Sequence, residues 1–265
     1  MATWPQLSTG KLKLARRLQT AKGRESAGAL LAEGPQAVRE AIAWARVRQV
    51  IVGEDATFVA VELARAATSA GIPVVLADAP QMSQITDTQH GQGIVAEVAL
   101  PECNLNQVVA PRLVLILDEV RDPGNLGTLI RTADAFGVDA VVATTGCAEP
   151  WAPKAVRASV GSVFHLPIIT GVTFERATSW AGGAGLLVLA AAAGGVPLPE
   201  LGARLAGPVA WAVGNEASGL ADGHLALADA VVAVPMWGKA ESLNVAAAAA
   251  ICLYHTAAAG RRAVE

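Results

Sequence analysis

The sequence predicts an α/β protein in which a parallel sheet is covered by helices on both faces. Two observations support this fold class. Hydrophobic residues make up 53% of the chain and aromatic residues only 4%, a composition dominated by Ala, Val and Leu that favours alternating strands and helices. In the second half of the chain, short continuous apolar runs alternate with amphipathic segments, the pattern of parallel strands buried on both faces.

A polar, proline-containing segment near Leu100–Arg112 separates two apolar regions and predicts a domain boundary. We expect a first domain over residues 1–104, a linker over 105–111 and a second domain over 112–265. The first domain is predicted to be a small α/β/α unit. Its expected strands are Ala29–Glu33, Gln49–Val52, Val74–Ala77 and Gly93–Ala99, and its expected helices are Pro35–Ala45, Phe58–Ala70 and a short one near Pro80–Ile85.

The second domain is predicted to hold the parallel sheet. Its expected strands are Leu113–Asp118, Ala140–Ala143, Leu166–Ile169, Leu186–Ala191, Val209–Val213 and Ala230–Val234, and its expected helices are Asn125–Phe136, Pro153–Val163 and Ser242–Ala259. Sheets of this kind usually bind ligands beyond the carboxyl ends of their strands. Unusual residues follow four of the expected strands and predict a site at that edge: Asp118–Asn125, Ala191–Gly195, Gly214–Gly219 and Pro235–Asn244.

Several functional classes are disfavoured. No GxGxxG opens the helix after Asp118 and no GxxxxGK[ST] occurs, which argues against a nicotinamide dehydrogenase and a P-loop nucleotide hydrolase. The three scattered cysteines form no CxxC pair, so we expect neither a disulfide framework nor a metal site, and the lone His90 is expected in a loop. The amino terminus has no apolar signal segment and the apolar stretches are too short or too interrupted to span a bilayer, so we expect a cytoplasmic protein without membrane contact.

The formal net charge of −3 does not by itself suggest a nucleic-acid partner, but the cations are unevenly distributed. Before Glu25 the chain holds several basic residues and no acidic one. Two interpretations stay open: a solvated first helix, or a face that contacts phosphates. The basic residues are Lys11, Lys13, Arg16, Arg17, Lys22 and Arg24.

Three segments carry the most specific signal: DEVRDPGNLGTLIRTADAFG at 118–137, AVGNEASGL at 212–220 and VPMWGKAESLNVAAAAAICLY at 234–254. In order and spacing they resemble the three motifs of the SpoU (TrmH) family of RNA ribose 2′-O-methyltransferases, within the SPOUT superfamily. The upstream segments KLARRLQTAKGR and LLAEGPQAVREAI resemble the substrate-binding module of that family's two-domain members, such as the thiostrepton-resistance methyltransferases. The resemblance implies a carboxyl-terminal trefoil knot, S-adenosylmethionine as cofactor and a homodimer formed through the second domain.

Individual residues are consistent with this chemistry. Asn125 follows Pro123–Gly124 at an expected helix N-cap, from which its amide could also reach an RNA or cofactor oxygen. Arg131, six positions on, suits bidentate phosphate binding, and the family resemblance gives it a part in activating the 2′-hydroxyl. Arginine is a poor base, so such a role needs an adjacent phosphate. Glu216 is expected either to orient Arg131 or to lie at a helix N-terminus.

The third motif is expected to open the last helix, with Ser242 as a cap and Asn244 in the first turn. The resemblance instead gives Ser242 and Asn244 active-site roles, and implies that backbone atoms frame the adenine. The catalytic set is therefore Arg131, Asn125, Glu216, Ser242 and Asn244. The cofactor-binding set is Ala190, Ala191, Gly214, Asn215, Glu216, Val234, Pro235, Met236, Ser242 and Leu243, and the RNA-binding set is Lys11, Arg16, Arg17, Lys22 and Arg24.

The predicted function is methyl transfer from S-adenosylmethionine to a ribose 2′-hydroxyl, without a metal. Ribosomal (23S) RNA is the first expected substrate and transfer RNA the second. Two alternatives stay open: a non-catalytic RNA-binding protein on the same fold, and a small-molecule enzyme that binds a nucleotide at the same sheet edge. The basic amino-terminal stretch and the lack of a phosphate loop disfavour the small-molecule enzyme.

Overall fold

A computed structural model of the chain describes residues 4–87 and 92–262, and side chains as far as residue 260. His90 lies outside the described residues. The helices are α1 (Thr9–Arg17), α2 (Ala21–Ala27), α3 (Pro35–Trp44), α4 (Phe58–Ser69), α5 (Ala79–Ser83), α6 (Pro123–Ala135), α7 (Pro153–Ser159), α8 (Phe174–Gly183), α9 (Asp222–Leu225) and α10 (Val245–Arg262). The strands are β1 (Ala29–Glu33), β2 (Val47–Gly53), β3 (Val74–Ala77), β4 (Ile94–Ala99), β5 (Leu113–Leu117), β6 (Ala140–Thr144), β7 (Ile168–Val172), β8 (Leu187–Pro197), β9 (Val209–Val213) and β10 (Ala230–Ala233).

Packing divides the chain into two compact units. The first unit holds the residues up to Pro101 together with Glu149–His165, and the second holds Glu102–Ala148 and the residues from Leu166 onward. The sequence-based division assigned Glu149–His165 to the second domain, whereas α7 packs on β1 of the first unit and buries Ala155 and Val156. The helix expected over Pro153–Val163 ends at Ser159, because Val160 and Gly161 adopt positive φ angles of 55° and 100°.

The first unit is built on a four-stranded sheet in the order β1-β4-β2-β3. β4 pairs antiparallel with both β1 and β2, and β2 pairs parallel with β3. One hydrophobic cluster combines residues of the sheet with residues before and within α1 and α5. It contains Leu7, Ala15, Leu18, Leu31, Ile51, Val75, Met82, Ile85 and Val95.

The second unit is built on a six-stranded sheet in the order β10-β8-β9-β5-β6-β7, and every pairing in it is parallel. Val114 and Ile116 of β5 face α8 and pack with Phe174 and Ala177. On the opposite face, Trp211 of β9 donates its indole N–H to Thr256 Oγ1 of α10 at 2.8 Å. The predicted α/β class with helices on both faces is confirmed, and the trefoil knot stays a prediction.

The parallel arrangement brings the carboxyl ends of β5, β8, β9 and β10 to one edge of the sheet. β8 is irregular there, because Val231 pairs with Ala190 while the next residue of β10, Val232, pairs with Val196. Residues 191–195 therefore leave the ladder and form part of this edge. The sheet edge is where the sequence predicts the site.

Candidate active site

Helix α6 begins with a different cap from the one expected. Asp122 is the N-cap, since its Oδ1 accepts a hydrogen bond from the Asn125 backbone N–H at 2.9 Å. Pro123 occupies the first helical position, where its missing N–H costs no hydrogen bond. The prediction that Asn125 is the N-cap is therefore wrong, and the sequence signal for the correct cap was the Asp-Pro pair. The Asn125 side chain is free to bond across the sheet edge.

A line of hydrogen bonds joins the three motif segments. The Asn244 side-chain amide donates to Asn125 Oδ1 at 3.2 Å, and the Asn125 amide donates to Glu216 Oε1 at 3.1 Å. The same Glu216 oxygen accepts from the Asp122 backbone N–H at 3.3 Å. Asn125 therefore bonds two residues that lie 91 and 119 positions away in the sequence. We call the three residues Asn125, Glu216 and Asn244 the amide–carboxylate cluster.

The environment of Glu216 favours its ionised form. Burial raises the pKa of this carboxyl, but hydrogen bonds from its own backbone amide, from the Asn125 side chain and from the amides of Asp122 and Arg121 lower it, and the net pKa lies below the ordinary value. Glu216 is therefore a carboxylate at neutral pH, held at the positive end of the α6 dipole.

Arg131 lies apart from this cluster. It is exposed on α6, and no described residue forms a hydrogen bond or ion pair with its side chain. Arg131 lies six residues after Asn125, which corresponds to about 9 Å along the helix axis. The Glu216 carboxylate bonds residues at the start of the helix and not Arg131. The expected pairing of Glu216 with Arg131 is not observed. The guanidinium keeps its donors available for a phosphate.

The last helix also begins later than expected. Asn244 is the cap of α10: its Oδ1 accepts from the backbone N–H groups of Ala246 at 2.9 Å and Ala247 at 3.3 Å. Ser242 lies two residues before this cap and is exposed, so the prediction that it caps a helix starting at Ser242 is wrong. Asparagine is among the strongest N-cap residues. Asn244 thus both starts α10 and donates to Asn125.

The loop between β9 and α9 is held by Asn215. Its Oδ1 accepts from the backbone N–H groups of Ala217 at 2.9 Å and Ser218 at 3.3 Å, and its backbone pairs with that of Gly219. A Cβ on Gly214 would lie 2.3 Å from the Gly219 carbonyl, so only glycine fits there. The Asn215 side chain is therefore committed to the loop, and the backbone is what it presents to a ligand.

The remaining residues predicted to bind the cofactor lie along the same edge. Ala190 is buried in β8, and Ala191 begins the segment that leaves the ladder. Pro235–Leu243 form neither strand nor helix, so their backbone donors and acceptors are not committed to a ladder, and Met236 is 41% exposed. Free backbone groups beside apolar side chains suit the uncharged edge and faces of an adenine ring. The predicted cofactor residues therefore fit the group, and Val234, Ser242 and Leu243 belong to the same stretch.

In the first unit, the predicted RNA-binding residues divide into two kinds. Lys11, Arg16, Arg17 and Lys22 are exposed. Arg24 is only 3% exposed, donates to the Leu18 carbonyl oxygen at 2.8 Å and forms an ion pair with Glu149. The prediction that Arg24 contacts RNA is therefore wrong, since its guanidinium is a buried structural group of α2.

Comparison with known proteins decides the family. Residues 112–254, more than half of the chain, match the family described as the SpoU rRNA methylase family. The chain belongs to that family. Residues 10–96 match a second description, the MRM3-like substrate binding domain. The resemblance inferred from the three motifs is confirmed, and this SpoU-family protein is an RNA methyltransferase.

Its relatives include proteins that align with most of its length. The 23S rRNA (guanosine(2553)-2′-O)-methyltransferase RlmP of Bacillus subtilis is 35% identical over 92% of this chain and 95% of its own length. The 23S rRNA (guanosine-2′-O-)-methyltransferase RlmB of Nitrosomonas europaea is 33% identical over 69% of this chain and 72% of its own. The crystal structure of an AdoMet-bound rRNA methyltransferase from Sinorhizobium meliloti is 31% identical, with a TM-score of 0.83 and coverage of 98% of this chain and 97% of that one.

Two features are absent from the described part of the chain. Within it, no group of three His, Cys, Asp or Glu side chains could hold a metal ion. No helix formed by these residues has the length and hydrophobicity needed to cross a membrane.

Proposed function

We propose that this SpoU-family enzyme methylates a ribose 2′-hydroxyl of ribosomal RNA. The observation that carries the proposal is the amide–carboxylate cluster at the sheet edge, with the unpaired Arg131 on the same helix as Asn125. Relatives named as 23S rRNA methyltransferases favour ribosomal over transfer RNA. A ribosomal substrate would place the enzyme in the cytoplasm.

Arg131 is the residue that would meet the RNA at the reaction centre. Its planar guanidinium can bind a phosphate oxygen pair beside the target ribose and so fix the 2′-oxygen. Because the guanidinium stays protonated, it cannot itself accept the hydroxyl proton, and the bound phosphate is the group that would take it. Arg131 therefore orients the nucleophile and stabilises the charge that develops near it.

The amide–carboxylate cluster would keep the reaction geometry fixed. Glu216 ties the β9–α9 loop to the start of α6, and Asn244 ties the start of α10 to Asn125. Most of the rate enhancement would come from this alignment, since a misplacement of about 1 Å can cost roughly 100-fold in rate.

S-adenosylmethionine supplies an electrophilic methyl group on a sulfonium. The residues that would hold it are the backbone of Ala190–Gly195, Gly214 and the loop backbone at Asn215, Val234–Met236 and Leu243, with Ser242 beside them. Its adenine would be recognised by free backbone donors and acceptors of these segments rather than by charged side chains.

Affinity for RNA would come mainly from the first unit. Lys11, Arg16, Arg17 and Lys22 are exposed on or beside α1 and α2, and Lys13 joins them. Contacts from such cations to phosphates give affinity without sequence information, so the nucleotide choice must come from RNA shape and unstacked loops.

The second unit also offers a surface for a second copy of the chain. A groove of about 450 Å³ lies between α10 and the 3₁₀ segment Leu198–Ala206, lined by Leu198, Leu205 and Ala258, and Tyr254 beside them is 58% exposed. We propose that this face forms a homodimer. Light scattering of the wild type and of Tyr254→Glu should give a dimer and a monomer, and a monomeric wild type would contradict the proposal.

The function is tested by incubation of the protein with labelled S-adenosylmethionine and with separate ribosomal and transfer RNA. We expect label in ribosomal RNA, recovered after alkaline hydrolysis as a 2′-O-methylated dinucleotide. Label in transfer RNA alone would show that the substrate is transfer RNA and not ribosomal RNA. Binding of the cofactor with no transfer to naked RNA or to ribosomal subunits would contradict the proposal and favour a non-catalytic RNA-binding protein.

A further inference from the structure

A second polar cluster lies on the opposite face of the same sheet edge. Asp118, directly after β5, is 5% exposed, and its Oδ1 accepts from Thr144 Oγ1 at the end of β6 at 2.9 Å. Its Oδ2 lies 2.7 Å from His224 Nδ1 of α9, so a hydrogen bond joins the carboxyl group to the imidazole. Thus one buried carboxylate joins the ends of two strands to a helix.

His224 is the residue that attaches α9 to the sheet. This helix has only four residues, buries none of them and has no side-chain hydrogen bond at its N-cap. The imidazole stacks on Phe174 of α8, with ring centroids 4.3 Å apart and planes 14° apart, and its Nε2 lies 3.6 Å from Glu175. Leu225 packs partly against the core of the sheet, and Leu220, just before the helix, is buried in the same core. His224 supplies the side-chain hydrogen bond that attaches α9 itself to the sheet.

The other end of the loop that carries Glu216 is attached to Glu119, the residue after Asp118. The Asn215 side-chain amide donates to the Glu119 carbonyl oxygen at 2.9 Å. Glu119 has a φ of 50°, a strained value for a residue with a side chain, which the surrounding contacts must maintain. The loop from Gly214 to Ala221 is thus fastened at both ends to consecutive residues, Asp118 and Glu119.

We infer that Asp118 and His224 are positioning residues for Glu216, an inference that rests on the proposed function for its catalytic consequence. With both ends of the loop fixed, the Glu216 carboxylate is held against Asn125 and the start of α6. Without the His224 anchor, α9 and the loop that precedes it gain freedom, and the carboxylate loses its fixed place. Neither Asp118 nor His224 needs to touch the substrate or the cofactor for this effect.

Three variants separate positioning from other roles. His224→Leu keeps apolar contact with Phe174 but removes the hydrogen bond to Asp118. His224→Asn places an amide donor near the position of Nδ1. Glu175→Gln is the matched control, because Glu175 is the other partner of the same imidazole. The Glu175 side chain is 61% exposed to solvent.

The first readout is hydrogen exchange of the peptide that spans residues 214–225 in the full-length protein, which requires no activity. We expect His224→Leu to speed exchange of the Ala217 and Gly219 amides by roughly 10-fold or more, because these amides donate within the loop. His224→Asn should recover much of the protection, and Glu175→Gln should resemble the wild type.

The second readout is methyl transfer at saturating cofactor and RNA. We expect His224→Leu to lower kcat roughly 10- to 100-fold with RNA affinity unchanged, and His224→Asn to restore part of it. Unchanged exchange in His224→Leu, or a lower kcat that His224→Asn does not restore, would overturn the inference. If the wild type transfers no methyl group, the proposed function fails while the exchange experiment still decides whether His224 positions the loop.

Discussion

The basic segment of α1 and α2 and the carboxyl edge of the six-stranded sheet hold their polar side chains in opposite ways. On α1 and α2, the side chains of Lys11, Arg16, Arg17 and Lys22 are exposed, and no described residue forms an ion pair with them. At the sheet edge, Asn125, Glu216 and Asn244 are joined by hydrogen bonds at 3.1–3.2 Å. Exposed cations suit a sequence-independent phosphate surface, whereas prearranged amides and carboxylates suit a reaction that depends on alignment.

Each region contains one arginine that breaks its own pattern. Arg24 of α2 is buried and paired with Glu149, in a segment whose other cations are exposed. Arg131 of α6 has no hydrogen-bond or ion-pair partner among the described residues, whereas the members of the amide–carboxylate cluster are all hydrogen-bonded. We therefore expect Arg24 to act in stability and Arg131 to act in substrate binding.

The largest expected effect is that of Arg131→Ala on catalysis. We expect kcat to fall about 100- to 1,000-fold, because the variant removes the group that holds charge at the reaction centre. Cofactor affinity by calorimetry and the unfolding midpoint should stay at wild-type values, since the side chain has no partner within the described chain. Arg176→Ala, an exposed arginine on α8, is the control and should retain full activity. Equal decreases in both variants would remove the distinction drawn for Arg131.

Arg24→Met should have the largest effect on stability. Removal of one partner of a mostly buried pair leaves Glu149 and the Leu18 carbonyl oxygen without their donor, and we expect a decrease of about 3 kcal/mol in the free energy of unfolding. Urea unfolding of the full-length protein measures it. Arg16→Met is the control and should lie within about 0.5 kcal/mol of the wild type, because Arg16 is exposed. A stable Arg24→Met variant with weakened RNA binding would return Arg24 to the RNA-binding set.

Two substitutions at Asn244 separate its two hydrogen-bonding roles. Asn244→Ala loses both the α10 cap and the donor to Asn125. We expect the free energy of unfolding to fall by about 1 kcal/mol and kcat to fall about 10-fold. Asn244→Ser keeps a capping oxygen without the amide donor, so stability should recover while kcat stays low. Thermal unfolding and initial-rate assays provide the measurements. Recovery of both properties in the serine variant would mean that the bond to Asn125 is dispensable.

The phosphate surface of the first unit is tested by salt dependence. With Lys11, Arg16 and Arg17 replaced together by Gln, the slope of log K for RNA against log salt should fall by about 0.7–0.9 for each phosphate that is no longer neutralised. The matched control is Arg65→Gln, an exposed arginine of α4 that is paired with Glu62. Filter binding at several salt concentrations measures both slopes. Identical slopes for the triple variant and the wild type would assign RNA binding to another surface.

The smallest expected effect is the titration of Glu216. Its folded pKa lies below its ordinary value of 4.5, so its contribution to stability is present above that value and is lost as the pH falls through the lowered pKa. The stability difference between the wild type and Glu216→Gln should therefore be constant at neutral pH and shrink in acid. Chemical denaturation across that range measures the difference. A wild type that loses stability relative to Glu216→Gln as the pH rises through the carboxyl titration would show that the carboxyl pKa is raised instead.

The sequence determined the fold class, the family and the sheet edge at which the candidate site lies. Continuous apolar runs specify parallel strands buried on both faces, and the carboxyl ends of such strands meet at one edge. Every segment predicted for that edge lies there. Local signals also placed most elements within a few residues, because apolar periodicity and helix caps are encoded by neighbours in the chain.

Only the tertiary structure decided which polar side chains bond to which. Arg24 looks like its basic neighbours in sequence, and its burial depends on Glu149, a residue far along the chain. Asp122 caps α6 in place of Asn125, whose side chain bonds Glu216 and Asn244 instead. The Asp118–His224 bond joins residues that no motif links. Sequence patterns report the local backbone and the burial of each residue, whereas hydrogen-bond partners across a sheet edge depend on how distant strand ends meet in space.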